Sequence, residues 1–301
     1  MRQISLLTSL LSLWLLASCD EVTVNPIVES NQYYTVLGYL NMGAQVHYVR
    51  VVPLRGTVTQ PDTPDRSAKV RTTDLNTGEQ VAWRDSLVTL SDGKPAIVYY
   101  ARFYVQDNHL YKLEVIRPDG KITSAETLVP QRSPLTFSSI SVSPRIGFPS
   151  IYTQTLTYTS LSEIPYDVEV WYRYYNGHNQ PFTDVKMRYQ DVYGRKGSLV
   201  DGKFQVTINY TEDKVQMERK EIYNPTGATL YGVGIRLIRL DDTWKAPNGV
   251  WDPEVIAQPN VFTNVNNGFG YFGAVGQFDR EWILPDDVVT GLGYGLPTAR
   301  P

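Results

Sequence analysis

Regular punctuation constrains this chain more than any other feature of its sequence. Short runs of alternating apolar and polar residues are cut by turn signals at Asn41-Met42-Gly43, Asn76-Thr77-Gly78, Asp107-Asn108-His109 and Pro118-Asp119-Gly120. Asn, Asp, Gly and Pro supply turn conformations that strand and helix residues resist, and the runs they leave are strand-sized. Those runs are 33–40, 45–52, 68–75, 79–84, 97–106, 110–117 and 121–129. In the sixth, Tyr111, Leu113 and Val115 fall on one side and Lys112 and Glu114 on the other, as a half-buried strand requires. Seven short strands at this spacing predict an immunoglobulin-like β-sandwich over residues 33–129. Twenty-one Tyr, 22 Gly and 19 Pro against 4 Met fit an all-β chain with many turns.

Pro130-Gln131-Arg132-Ser133-Pro134 reads as a hinge into a second, larger β-sandwich over 135–284. Its expected strands are 166–175, 198–200, 203–211, 216–223, 229–240, 261–265, 269–275 and 278–284. In 166–175, Val168, Val170, Tyr172 and Tyr174 share one face, with Glu169, Trp171 and Arg173 on the other. Residues 241–258 form a polar connection with one helical turn expected around Asp241-Asp242-Thr243-Trp244. Residues 285–301 read as a tail. Near the end, Asn267-Gly268 is a favoured tight-turn pair, expected to fold 261–265 back on 269–275 as a hairpin of the second sandwich. Gly268, Gly270 and Gly273 would let another backbone or a ring lie directly against that hairpin. Very little helix is expected beyond the N-terminal leader.

The N-terminus sets the address. Arg2 precedes an apolar run over 4–16, broken only by Ser and Thr. About 13 residues is too short for the roughly 20 that span a bilayer, so the run reads as the apolar core of a signal peptide over residues 1–18. Leu16-Ala17-Ser18-Cys19 follows, carrying the only cysteine in 301 residues, and resembles the bacterial lipobox. The resemblance implies that Cys19 is lipidated and becomes the mature N-terminus. At ~0.8 kcal/mol per buried methylene, several acyl chains hold a protein on a membrane stably. Residues 19–32 then form a polar tether, opening with Asp20-Glu21, that clears the headgroups.

The segment 260–274, NVFTNVNNGFGYFGA, resembles the closing motif of a family of uncharacterised Bacteroidota outer-membrane lipoproteins, through Asn264, Asn267, Gly268, Gly270, Tyr271, Phe272, Gly273 and Ala274. The opening YTVLGYL (34–40) and VHYVRV (46–51) are similar to that family's first hairpin. The resemblance implies a lipid-anchored, immunoglobulin-like sandwich followed by a second β domain, often encoded beside TonB-dependent receptors. Relatives carry an amphipathic helix ahead of the closing motif, where 241–258 is too broken for one.

Most chemistry is excluded. A net charge of −3 argues against nucleic acid as a partner, and one cysteine rules out a disulfide framework or a Cys-based zinc site. His47, His109 and His178 lie roughly 60 to 70 residues apart with no metal-ligand spacing, and no cofactor or metal is expected. Gly268-x-Gly270-x-x-Gly273 matches a dinucleotide pattern, but no helix follows to receive a pyrophosphate. Asp241-Asp242 and Asp286-Asp287 are neighbours in sequence and read as loop acids. No nucleophile-elbow motif exists, so the chain reads as a non-enzyme.

Binding character lies in aromatics beside polar groups. Trp171, Tyr172, Tyr174 and Tyr175 run into Asn176-Gly177-His178-Asn179, and Trp244 and Trp251 flank Asn248. Such sets suit a glycan or a peptide ligand, being apolar on the face and wet at the edge, although sandwich cores use aromatics in the same way. Two functions fit: a non-catalytic accessory lipoprotein of a TonB-dependent outer-membrane import system, or a structural or adhesive surface subunit.

Overall fold

The computed structural model describes residues 33–54, 66–89, 93–175, 182–189, 197–219, 228–244 and 263–297. The leader, Cys19 and the tether lie outside them. The first half runs β1 (Tyr34–Asn41), β2 (Val46–Pro53), β3 (Lys69–Asp74), β4 (Gln80–Ala82), β5 (Arg84–Thr89), β6 (Pro95–Arg102), β7 (Leu110–Ile116) and β8 (Ile122–Leu128). The second continues with β9 (Leu135–Phe137), β10 (Ser141–Arg145), β11 (Phe148–Tyr158), β12 (Asp167–Tyr175), β13 (Thr183–Arg188), β14 (Ser198–Val200) and β15 (Lys203–Asn209). Helix α1 (Tyr210–Arg219), β16 (Thr229–Leu240), β17 (Val265–Asn266), β18 (Gly268–Trp282) and α2 (Asp286–Gly291) close the order.

The fold is all-β. An eight-stranded sheet, β13-β12-β16-β18-β1-β2-β6-β5, is faced by two five-stranded sheets. One of these, β17-β8-β7-β3-β4, closes an immunoglobulin-like sandwich over the first half of the large sheet. Val36, Leu40, Val49 and Tyr99 meet Val70, Leu113, Val115 and Ala125 in that core. The other, β10-β11-β15-β14 with β9 beside β11, packs on the second half. There Val170, Tyr172, Val233 and Ile235 meet Leu156, Phe204, Val206 and Ile208. The alternation read from the sequence explains both cores, because each buried strand residue is followed by one turned away.

The closing motif does not sit where the sequence placed it. Val265 and Asn266 pair with Ala125 and Ser124 of β8, in a different sheet from β18, so the expected hairpin with 269–275 does not form. Residues 261–262 of that hairpin lie outside the described residues. Asn267, at φ +55, carries the chain across the sandwich from one sheet to the other. Residues 268–275 then pair in parallel with β1, from Tyr34 opposite Gly268 to Asn41 opposite Val275. Phe272 and Ala274 accordingly belong to the first core, not to the second sandwich.

The motif's asparagines explain this corner. The Asn264 side chain accepts the Phe272 N–H at 2.9 Å and donates to the Phe272 carbonyl at 2.7 Å. It thereby serves as a one-residue strand partner. Asn267 donates through Nδ2 to the Ile122 carbonyl at 3.0 Å, and its own carbonyl accepts from Thr123 at 2.8 Å. The expected strands 269–275 and 278–284 are one 15-residue strand, β18. At ~3.3 Å per residue it runs about 50 Å. Its first half buries Phe272 in one core and its second half buries Phe278 in the other.

Two further expectations are corrected. Residues 216–223 were expected as a strand, but 210–219 form α1 and 220–227 lie outside the described residues. Asn209 Oδ1 accepts the Glu212 N–H at 3.0 Å, capping the helix, and Glu212 and Asp213 sit favourably in its first turn. Residues 285–301 are no simple tail, since α2 places Val288 and Val289 in the second core, followed by Leu292 and Tyr294. Strands β5, β9 to β11 and β13 have no counterpart among the expected strands.

Candidate functional site

The aromatic set at 171–175 does not form one surface. Tyr172 and Tyr174 point into the second core and are fully buried. Both the Tyr172 and Tyr189 hydroxyls donate to Asp213 Oδ2, Tyr189 at 2.5 Å. Burial, then the Asp213 charge, holds the Tyr172 phenol well above its ordinary value. Tyr174 and Tyr294 share a hydrogen bond of 3.1 Å. Trp171 faces the other way yet is only 8% exposed, because Gly234 lets its ring lie flat on β16 and the Arg236 guanidinium covers it at 5.8 Å. Tyr175 packs on Phe182 and Tyr231. These contacts place Trp171, Tyr172 and Tyr174 in packed surroundings on opposite faces of β12, so the expected ligand-binding set presents no shared surface.

Trp244 is likewise a packing residue. Its ring stands edge-on to Tyr271 at 4.6 Å, and its backbone N–H donates to Asp241 Oδ1 at 3.1 Å. The buried Asp241 carboxylate also accepts from the Tyr271 hydroxyl at 2.8 Å and the Ala274 N–H at 2.6 Å. The turn expected at 241–244 exists as a side-chain-capped turn that clamps β18 to the end of β16. His178 and Trp251 lie outside the described residues.

A site that the sequence did not single out opens at one end of the first sandwich. It is a cavity of about 650 Å³ between the end of β3, the turn after it, and residues 102–111. Asp74 anchors one wall. Its Oδ1 accepts the Asn76 N–H at 2.9 Å and the Thr77 N–H at 3.3 Å, which shapes the turn that Gly78 closes at φ +80. Its Oδ2 lies 2.7 Å from His109 Nδ1. A carboxylate can only accept, so Nδ1 carries a proton and Nε2 is the ring nitrogen turned away from Asp74. Burial pushes the Asp74 carboxyl up, but His109 and the two backbone donors outweigh it and hold it below the ordinary carboxylate value.

The opposite wall is fixed from beneath. His47 Nδ1 accepts the Asn41 N–H at 3.3 Å, so its Nε2–H donates to the Phe103 carbonyl at 3.2 Å. The His47 ring also packs on the Phe103 ring at 4.7 Å. Further along, the Gln106 N–H donates to the Tyr111 hydroxyl at 3.0 Å. The segment 103–106 is thus pinned at both ends, while Tyr104 between the pins is 68% exposed. Glu79 and Arg102 complete the rim.

This arrangement can hold a ligand. His109 is bonded to Asp74, and no hydroxyl or thiol among the described residues hydrogen-bonds to its ring. Thr72 Oγ1 is taken by the Trp83 indole N–H at 2.7 Å and Thr77 Oγ1 by the Glu79 N–H at 3.3 Å. Among the described residues no group of three or more His, Cys, Asp or Glu is placed to hold a metal ion, and no helix is long and apolar enough to cross a membrane. Only strand register could have revealed the site. Asp74 lies opposite Tyr111 on β7, two residues past His109, so pairing β3 with β7 brings the acid and the imidazole together across 35 residues.

No family model matches the chain, and no curated protein matches it. A crystal structure of bovine butyrophilin is similar over 68% of this chain and 91% of that chain, at 10% identity and a TM-score of 0.23. The assignment to the all-β class stands on this chain's own sheets.

Proposed function

We propose that this protein is a lipid-anchored, non-catalytic binding component of the cell envelope, held on the outer membrane through Cys19 and working beside a TonB-dependent import receptor. The observation that carries this reading is the cavity at Asp74 and His109. Rings, carboxylates and an oriented imidazole converge there, and among the described residues no hydroxyl or thiol is hydrogen-bonded to that imidazole. A spacer or adhesive subunit has no need of such a pocket, whereas a companion of an importer needs somewhere to hold its cargo. The family resemblance adds support, because the segments that carry it, 34–40, 46–51 and 260–274, include the neighbouring strands β1, β2 and the start of β18 in the first core.

Fractionating cells that express the wild type and Cys19→Ser, then purifying the wild type from solubilised membranes, tests the proposal. The wild type should sediment with outer membranes and bring down a TonB-dependent receptor, while Cys19→Ser is released or left unprocessed. Normal processing and retention of the mutant would overturn the anchor. Recovery of self-associated chains without a receptor would favour the structural or adhesive reading.

A further inference from the structure

We infer that the cavity bounded by Asp74, Glu79, Phe103, Tyr104 and His109 is a saccharide site that takes a short, uncharged sugar chain. This rests on the binding function proposed above and names its ligand class. Tyr104 offers an exposed ring on a segment pinned at Phe103 and Gln106, which makes it a rigid stacking platform for the C–H face of a pyranose. A backbone so held loses little freedom when a ligand covers the ring it carries.

The polar groups suit hydroxyls, each of which both donates and accepts. Asp74 is spent on two N–H groups and on His109, so it orients the imidazole and leaves Nε2 to hydrogen-bond a ligand hydroxyl, which can donate or accept. Glu79 adds a carboxylate acceptor, Arg102 a donor and Gln106 an amide with both roles. Glu79 and Arg102 carry opposite signs, and the one further charge, Asp74, is turned onto its own donors, so the rim offers no cluster of one sign to select an anion or a cation. At about 650 Å³ the cavity lies within the usual range for small-ligand sites and exceeds what a single small ion needs. A peptide is the poorer fit. The sheet edge nearest the cavity is β4, whose three residues give little ladder for strand addition.

The test is isothermal calorimetry on detergent-solubilised full-length protein against maltotriose, cellotriose, xylotriose, mannotriose and chitotriose, with a mixed tripeptide pool as control. At least one sugar should bind, and Tyr104→Ala should weaken it tenfold or more without shifting the melting temperature. Tyr104→Trp should restore it, and Glu79→Gln should weaken it as a second exposed-residue variant. Binding of no sugar, sugar binding untouched by Tyr104→Ala, or Tyr104-dependent binding of the peptide pool alone would each overturn the assignment. A protein blind to sugars that still co-purifies with a receptor would sink this inference and leave the proposed function standing.

Discussion

Position 270 shows how one glycine can fix a topology. Gly270 has φ +97, and a Cβ there would lie 2.1 Å from the Val36 carbonyl oxygen on β1. Both the backbone conformation and the close approach of a parallel neighbour exclude a side chain. Gly270→Val should therefore cost roughly 3 kcal/mol or more, read as a lowered midpoint in urea. An unshifted midpoint would mean that the segment is not packed against β1. A second residue-scale expectation concerns pH. Burial holds the His47 imidazole below its ordinary value near 6.5, while its bond to Phe103 pulls the other way. The unfolded chain takes up that proton first, so stability present above about pH 6.5 is lost as pH falls below it. Melts between pH 8 and pH 5 should show the loss, with a shallower slope in His47→Gln; an equal slope would contradict it. Asp74 acts lower on the scale. Its depressed carboxyl contributes stability that persists above about pH 3.8 and disappears only beneath it.

Among the elements, the first-half strands other than β5 were legible because alternation and turn residues agree there. Helix α1 was not, because Phe204, Val206, Ile208 and Tyr210 continue one alternating face into the helix, and only the cap at Asn209 marks the change. Once α1 is placed, Tyr210, Asp213 and Met217 fall at helical spacing on its buried side. Asn209→Ala should cost about 1 kcal/mol by chemical denaturation, with a loss of helical signal. At the β17–β18 corner the cost should be larger. Asn264→Ala removes both bonds to the Phe272 backbone and should destabilise by roughly 1–3 kcal/mol. A change within a few tenths of a kcal/mol would show that the side chain is not the corner's brace. The aromatic run of β12 was half-readable. Alternation already separates Trp171 from Tyr172 and Tyr174, but the Arg236 cover and the Asp213 acceptor come from elements distant in sequence.

The whole molecule is held by a strand that the sequence had divided in two. β18 lies beside β1 for one core and beside β16 for the other, so the chain's end ties its beginning to its middle. The hinge at 130–134 marks where the second core begins, but the large sheet runs unbroken past it. The cavity beside Asp74 and His109 sits apart from this joint, at one end of the first sandwich. It escaped the sequence because a partner pair such as Asp74 and His109 exists only through strand register. Where function should be sought depends on whether 268–275 is an interior strand or an exposed loop that touches a partner. Amide hydrogen exchange on the full-length protein decides this most directly. Residues 268–275 and 34–41 should exchange together and only through global unfolding. Rapid exchange over 268–275 while 34–41 stays protected would contradict the shared strand and return the closing motif to the surface.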